Sequence, residues 1–179
     1  ELVCPDPDYP TPWDYNPPVN HIPSVIGTIP GGDGAPVLLF NAHIDTVPVG
    51  DLENWRHDPY SGVIEDDEYV YGRGAGDDKG SVAAQVMAAV AIARSGVKLG
   101  GTLVINPVAD EEACSYRGTQ YLRDAGYLKP TYLVIGEQTD NEVAVAERGV
   151  LWMEVTITGK AAHGAIPGAG NNAIVRATE

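Results

Sequence analysis

Val37-Leu38-Leu39-Phe40 runs without a polar break into Asn41-Ala42-His43-Ile44-Asp45, and this stretch decides the fold. An apolar run without alternation suits a strand covered on both faces of its sheet. Leu103 to Val108 (LVINPV) and Tyr132 to Ile135 (YLVI) read the same way. Between the first two runs lies Ser81 to Arg94 (SVAAQVMAAVAIAR), a helix of strong propensity closed by Gly96. Between the second and third, Tyr116 to Ala125 reads as a further helix, closed by Gly126. Strands alternating with helices predict a layered α/β domain with a largely parallel sheet.

The flanks have a different texture. Nine of the 14 prolines fall in the first 36 residues, and Cys4 to Pro18 (CPDPDYPTPWDYNPP) sustains neither a helix nor a central strand. That part is expected to be extended and loop-like. Beyond Val150, Leu151 to Thr158 (LWMEVTIT) alternates like a half-exposed antiparallel strand, and Asn171 to Glu179 begins another helix. Three parts follow: a Pro-rich opening segment with the first strand region at 1–36, a central portion at 37–148, and the start of a second domain at 149–179. The acidic run Glu65-Asp66-Asp67-Glu68 reads as a solvated turn.

Composition narrows the function. The 179 residues carry 25 Asp plus Glu against 11 Lys plus Arg, a net charge of −14, with 44% hydrophobic residues. The apolar content supports a packed core. The acidic balance argues against nucleic-acid or anionic-membrane partners, because phosphate groups repel such a field. No apolar run approaches the ~18 residues of a membrane span, and no secretory leader is visible at the first residue, Glu1. Cys4 and Cys114 are too few for a disulfide framework and lack zinc-ribbon spacing, so a reducing, cytoplasmic compartment is expected.

Each apolar strand ends in residues that can do chemistry. The first runs into His43 and Asp45, the second into Asp110-Glu111-Glu112, the third into Glu137. Ligands of open α/β sheets collect at the carboxyl ends of strands, so the three tips are expected to converge. Asp77 and Asp78 sit in a Gly-rich loop just before the Ala-rich helix. A carboxylate there is explained by the helix dipole, but that does not extend to acids at three strand ends. Carboxylates brought together repel unless a cation holds them. One His with several carboxylates suits zinc or a related divalent ion. Asp45, two residues after His43, fits the carboxylate that fixes the tautomer of a ligating imidazole. Of Glu111 and Glu112, adjacent on the backbone, one could bind metal while the other acts as a base. Two rival motifs fail. GRGAGDDKGS is not a Walker loop, since Lys79 follows two aspartates, and no G-x-S-x-G elbow occurs.

The blocks His43-Ile44-Asp45-Thr46-Val47-Pro48, Gly72 to Gly80 (GRGAGDDKG), Asp110-Glu111-Glu112 and Gly136-Glu137-Gln138-Thr139 stand in an order that resembles one family. It is that of the dinuclear zinc hydrolases: acetylornithine deacetylase, succinyl-diaminopimelate desuccinylase, aminoacylase and the glutamate carboxypeptidases. Gly159-Lys160-Ala161-Ala162-His163-Gly164 through Ile174 resembles the start of that family's lid. The resemblance runs from about Val19 to the end of the chain. It departs at Gln138, where Pro is frequent, at Asp78, where Met is common, and at Gly164, where Ser is frequent.

The resemblance implies a zinc-peptidase-like domain with a mainly parallel mixed sheet, followed by the beginning of an α+β lid and dimerisation domain. It implies two Zn²⁺ per complete subunit, with Co²⁺ or Mn²⁺ as substitutes. His43 and Glu137 would bind one ion, Glu112 the second, and Asp77 would bridge them. Asp45 would orient His43, Glu111 would be the general base, and His163 would reach the partner subunit's site in a homodimer. The implied reaction is hydrolysis of the amide bond of a small N-acylated amino acid or related amine, through a water held between the ions. A di- or carboxypeptidase, or a non-catalytic fragment with an incomplete site, are the other readings. Arg148 is a weak candidate for the substrate's carboxylate. The family's last metal ligand is a His in a later part of longer chains, so the resemblance implies that these residues are an N-terminal portion.

Overall fold

The structure, a computed structural model, describes residues 1–11, 22–151 and 153–178. It divides into two compact units, Glu1–Glu142 and Val143–Glu179.

The first unit is built on a four-stranded mixed sheet. β1 (Leu2–Val3) pairs antiparallel with β2 (Ser24–Val25) at the start of the chain. The main sheet has the order β3-β7-β4-β8, with β3 at Gly27–Ile29, β4 at Val37–His43, β7 at Thr102–Val108 and β8 at Tyr132–Ile135. β4 runs parallel to both β7 and β8, while β3 is antiparallel to β7. The expected α/β layering with a mainly parallel sheet is therefore present. β5 (Val63–Glu65) and β6 (Tyr69–Tyr71) form a separate hairpin. Its turn is the acidic run: Asp66 and Asp67 both have positive φ, and the Glu68 N–H donates to the Glu65 carbonyl. Positive φ at both central residues is the type I′ geometry that matches strand twist.

The helix α1 spans Gly80–Ser95, and Gly96 at φ 72° closes it in the left-handed conformation that glycine adopts without strain. It links β4 to β7, and its Ala89 and Ile92 pack with Leu38, Phe40, Leu103 and Ile105. The alternate residues, Leu39 and Val108, pack on the other face with Leu122 and Leu128. Leu122 lies in α2, Tyr121–Asp124. β4 and β7 are thus covered on both sides, as their unbroken apolar runs required.

Three expectations needed revision. The helix over Tyr116 to Ala125 is regular only in α2; residues 116–120 form a wide turn kinked at Gly118. A Cβ at Gly118 would lie 2.0 Å from the Ala109 carbonyl oxygen, so packing against that carbonyl dictates a glycine. Among the described residues β8 is paired on one side only, and all four of its residues are exposed, Tyr132 at 62%. An apolar run shows that a strand can be covered, but not by what. Leu151 and residues 153–158 form no strand, and Val155 is 76% exposed. Period-two alternation needs a partner ladder, and among the described residues the second unit supplies only an isolated bridge between Lys160 and Asn171. The helix expected near Asn171 is α3, Ala173–Arg176, capped by the Asn172 side chain, which accepts from the Ile174 and Val175 N–H groups. Of the Pro-rich stretch, residues 12–18 lie outside the described residues, as do Val19 at the head of the resemblance and Trp152. No helix among the described residues is long and apolar enough to cross a membrane.

Leu122 is fully buried, whereas Ile64 on the hairpin is 63% exposed. In the full-length protein, Leu122→Ala should cost about 2–5 kcal/mol and Ile64→Ala no more than about 0.5 kcal/mol. Denaturant unfolding of both variants checks this ordering.

Candidate metal centre

The order of the sheet places the site. From β4 the chain passes over α1 to β7 on one side, then crosses back over α2 to β8 on the other. The winding reverses at β4, and the crevice outside the carboxyl ends at such a reversal is where open α/β sheets bind ligands. His43 is the last residue of β4, Asp110 to Glu112 follow β7, and Glu137 follows β8. Asp77 and Asp78, joined by a cis peptide bond, lie one residue before α1.

His43 is only 2% exposed. Its Nε2 lies 2.7 Å from Asp77 Oδ1 and 4.0 Å from Glu111 Oε2. Its Nδ1 faces the Asp45 carbonyl oxygen at 3.0 Å and the Asp45 carboxylate at 3.6 Å. The Asp45 carboxylate has a second task. Its two oxygens accept from the Glu111 and Glu112 N–H groups, at 3.2 and 3.1 Å. The Glu112 carboxylate in turn accepts from the Val47 N–H at 3.3 Å.

Two sets of ligand atoms come together, each with all members within 4.8 Å of one another: His43, Asp77 and Glu112, and His43, Asp78 and Glu137. Every proposed metal ligand falls into one set or the other. Asp78 was not singled out as a ligand from the sequence. It is fully buried, and its Oδ2 accepts from the His43 N–H at 3.3 Å. The signal was the acidic pair itself, but sequence cannot say which of two adjacent aspartates turns inward. A cleft of about 290 Å³ adjoins the site, lined by Asp45, Thr46, Val47, Pro48, Asp110 and Glu112 among others.

The charges are strained upward. Burial raises the Asp78 carboxyl above the usual range, with Ser81 and His43 offsetting part of the effect. Glu111 is raised chiefly by burial, opposed by His43 and reinforced by Glu112, Asp45 and Asp77. Glu137 is raised by burial and then by Asp78 and Glu111. Burial alone would lower the His43 pKa, yet the hydrogen bond with Asp77, the Asp45 carbonyl and the Glu111 charge together lift it. The donor set fits a divalent ion: one imidazole and several carboxylates, with no hydrogen-bond donor to the buried Asp78 Oδ1 among the described residues.

His163 lies in the second unit, in a turn where its Nδ1 accepts from the Ala165 N–H at 3.2 Å and its carbonyl accepts from Ile166.

The fold and the ligand sets define a metallohydrolase-like α/β domain, and comparison with known proteins places it. Residues 39–177 match Peptidase family M20/M25/M40, and the chain belongs to that family. It is 38% identical over 144 residues to a probable succinyl-diaminopimelate desuccinylase of Staphylococcus epidermidis, covering 80% of this chain and 35% of that protein. Among solved structures it resembles human carnosine dipeptidase 1 (TM-score 0.57, 26% identity), covering 75% of this chain and 28% of that one. It also resembles an M20 family metallo-carboxypeptidase from Sulfolobus solfataricus (TM-score 0.55, 27% identity), covering 63% of this chain and 25% of that one. The chain spans 35–37% of the length of the curated relatives it matches.

An imidazole presents one nitrogen to the site, whereas a carboxylate has two oxygens and can serve two ions. The resemblance gives Asp77 to both ions, whereas the structure groups it only with His43 and Glu112; on the bridging reading, Asp77→Ala of the full-length protein should lose both ions, while Glu112→Ala and Glu137→Ala should each lose one. Metal analysis of the purified variants, after equilibration with Zn²⁺, measures this pattern.

Proposed function

We propose that the full-length protein is a divalent-metal amidohydrolase of the deacylase type, acting on a small N-acylated amino acid or related amine. The observation that carries this reading is the convergence of two ligand sets on His43, with Glu111 beside them. Its similarity to a probable succinyl-diaminopimelate desuccinylase supports the substrate class. Zn²⁺ is the ion best matched to the mixed imidazole and carboxylate set, with Co²⁺ or Mn²⁺ as substitutes. His43, Asp77, Glu112 and Glu137 would hold two such ions, with Asp77 between them. When bound, the ions polarise the amide carbonyl and acidify a water.

The chain's own residues do the rest. Glu111, 43% exposed and with a raised pKa, would accept a proton from the attacking water and return it to the leaving amine. Asp45 keeps Nδ1 of His43 occupied, so that Nε2 faces the site. His163, on the lid unit, is assigned to the developing oxyanion in the partner subunit of a homodimer, in a cytoplasmic enzyme.

A second reading is a di- or carboxypeptidase, favoured by the likeness to the carboxypeptidase and carnosine dipeptidase structures. Assaying the full-length protein with Zn²⁺ against N-succinyl and N-acetyl amino acids and against dipeptides separates the two. Turnover confined to dipeptides would transfer the assignment to the peptidase reading. Hydrolysis of none of these, with metal bound, would refute both.

Glu111 and Glu112 should differ sharply when replaced. Glu111→Gln should keep its metal and lose kcat by about 10²–10⁴-fold, the range of a general base. Glu112→Gln should lose metal and activity together. Steady-state kinetics with metal analysis on the same samples decide whether the roles divide in this way.

A further inference from the structure

The loop that carries Glu111 and Glu112 is tied at its far end to the N-terminal strap of the chain. Asp110, only 2% exposed, sits in the left-handed region at φ 71°. Its backbone carbonyl accepts from the Ser115 N–H at 2.7 Å, and its Oδ2 accepts from the Arg117 N–H at 2.7 Å. The segment from Asp110 to Arg117 is thereby closed into a compact loop with both glutamates on it. Arg117 is itself buried, 3% exposed. Its guanidinium leaves the loop and donates to the Asp6 carbonyl at 3.1 Å, and to the Pro7 carbonyl at 3.5 Å from Nη1 and 3.4 Å from Nη2.

The strap is fixed independently. The Asp6 side chain accepts from the Asp8 N–H at 2.9 Å, and the Asp6 carbonyl accepts from Tyr9 N–H at 3.1 Å, so the carbonyls that meet Arg117 sit in a defined turn. The Tyr9 hydroxyl donates to Asp124 at 2.6 Å, and its ring packs edge-on against Tyr121. The strap thus reaches both the start and the end of the helical segment that follows the loop. At the loop's near end, the Asp45 carboxylate holds the Glu111 and Glu112 N–H groups. Glu112 is fixed between two anchors, one shared with His43 and one shared with the strap.

We propose that Arg117 is a positioning residue for the ion held by Glu112: through Asp110 and the strap carbonyls it fixes the loop so that Glu112 meets that ion. This rests on the metal reading above. It makes a distinct claim, because the contacts described for Arg117 are with Asp110 and the strap and not with His43 or Glu137, so the His43 and Glu137 end should be left undisturbed. Guanidinium geometry is what the task demands. A planar fork of donors can meet two successive carbonyls while filling a buried space, and a lysine ammonium cannot reproduce that arrangement.

The test is a Co²⁺ titration of the metal-free full-length protein, followed by visible absorbance and by calorimetry. Wild type should take up two equivalents. Arg117→Gln and Asp110→Asn should bind the first as wild type does and the second about 10–100-fold more weakly, the usual loss when the support of a ligand is removed. Asn tolerates the left-handed backbone, so Asp110→Asn decides the matter if Arg117→Gln does not fold. Arg117→Lys should not rescue the second site. Unchanged affinity for the second equivalent in both variants overturns the proposal. Equal weakening of both equivalents also overturns it, since that is what general destabilisation gives. Wild type that binds fewer than two equivalents refutes the metal reading itself, and with it the ground for this one.

Discussion

The crowding of negative charge around His43 is the constraint on which the rest of the site depends. Asp77, Asp78, Glu111, Glu112 and Glu137 approach one largely buried imidazole from three separate parts of the chain. Two unit charges 4 Å apart interact by about 4 kcal/mol at an effective dielectric near 20. One imidazolium cannot compensate five carboxylates at such distances. The upward displacement of Asp78, Glu111 and Glu137 expresses that imbalance, although burial is the first cause for each. A divalent cation among them would reverse the sign of the local field and draw the carboxyls back to their ionised forms. A site built only for structure would be better served by apolar side chains, because unsatisfied buried charge is costly.

The sheet is what forces this crowding. Reversal of the winding at β4 brings the ends of β4, β7 and β8 side by side, each strand ending in its own acid or imidazole. Parallel pairing is in register from Val37 with Thr102 to His43 with Val108, so His43 and the Asp110 loop are level at the sheet's edge. The helix α1 must then start beneath the same edge, which brings Asp77 and Asp78 to His43. The apolar cores on the two faces hold this edge rigid: Leu38 and Phe40 point to α1, while Leu39 points to Leu122 and Leu128. Packing and chemistry are thus read from the same strands at different positions.

Much of this arrangement was legible in the sequence because it depends on local pattern. An unbroken apolar run ending in His43 states both that the strand is covered and where it stops. The composition of α1 and Gly96 fix the helix that follows the acidic loop. What was not legible depends on contacts that span the chain. The inward turn of Asp78 is decided by the His43 N–H, 35 residues away. The kink at Gly118 is decided by the carbonyl of Ala109 and not by helix propensity. The contact between Arg117 and Asp6 spans 111 residues, and nothing in either neighbourhood announces it. The alternation of Leu151 to Thr158 describes a surface for a partner strand, and pattern alone cannot supply that partner.

The double use of Asp45 shows how the two ends of the site are mechanically joined. From spacing, its role was to orient the imidazole, and its carbonyl and carboxylate do lie against Nδ1. The same carboxylate also grips two successive N–H groups of the loop that bears Glu111 and Glu112. Hydrogen bonds to an ionised acceptor are about twice as strong as neutral ones, and paired bonds fix orientation as well as distance. One side chain therefore sets the imidazole and the glutamate loop in a common frame. At the near end of the loop, the separation between His43 and the Glu111 and Glu112 N–H groups is thus held by a covalent distance within a single residue. An arrangement in which each ligand was supported separately would leave that separation to the sum of several soft contacts, whereas catalysis by paired groups demands placement to within about half an ångström.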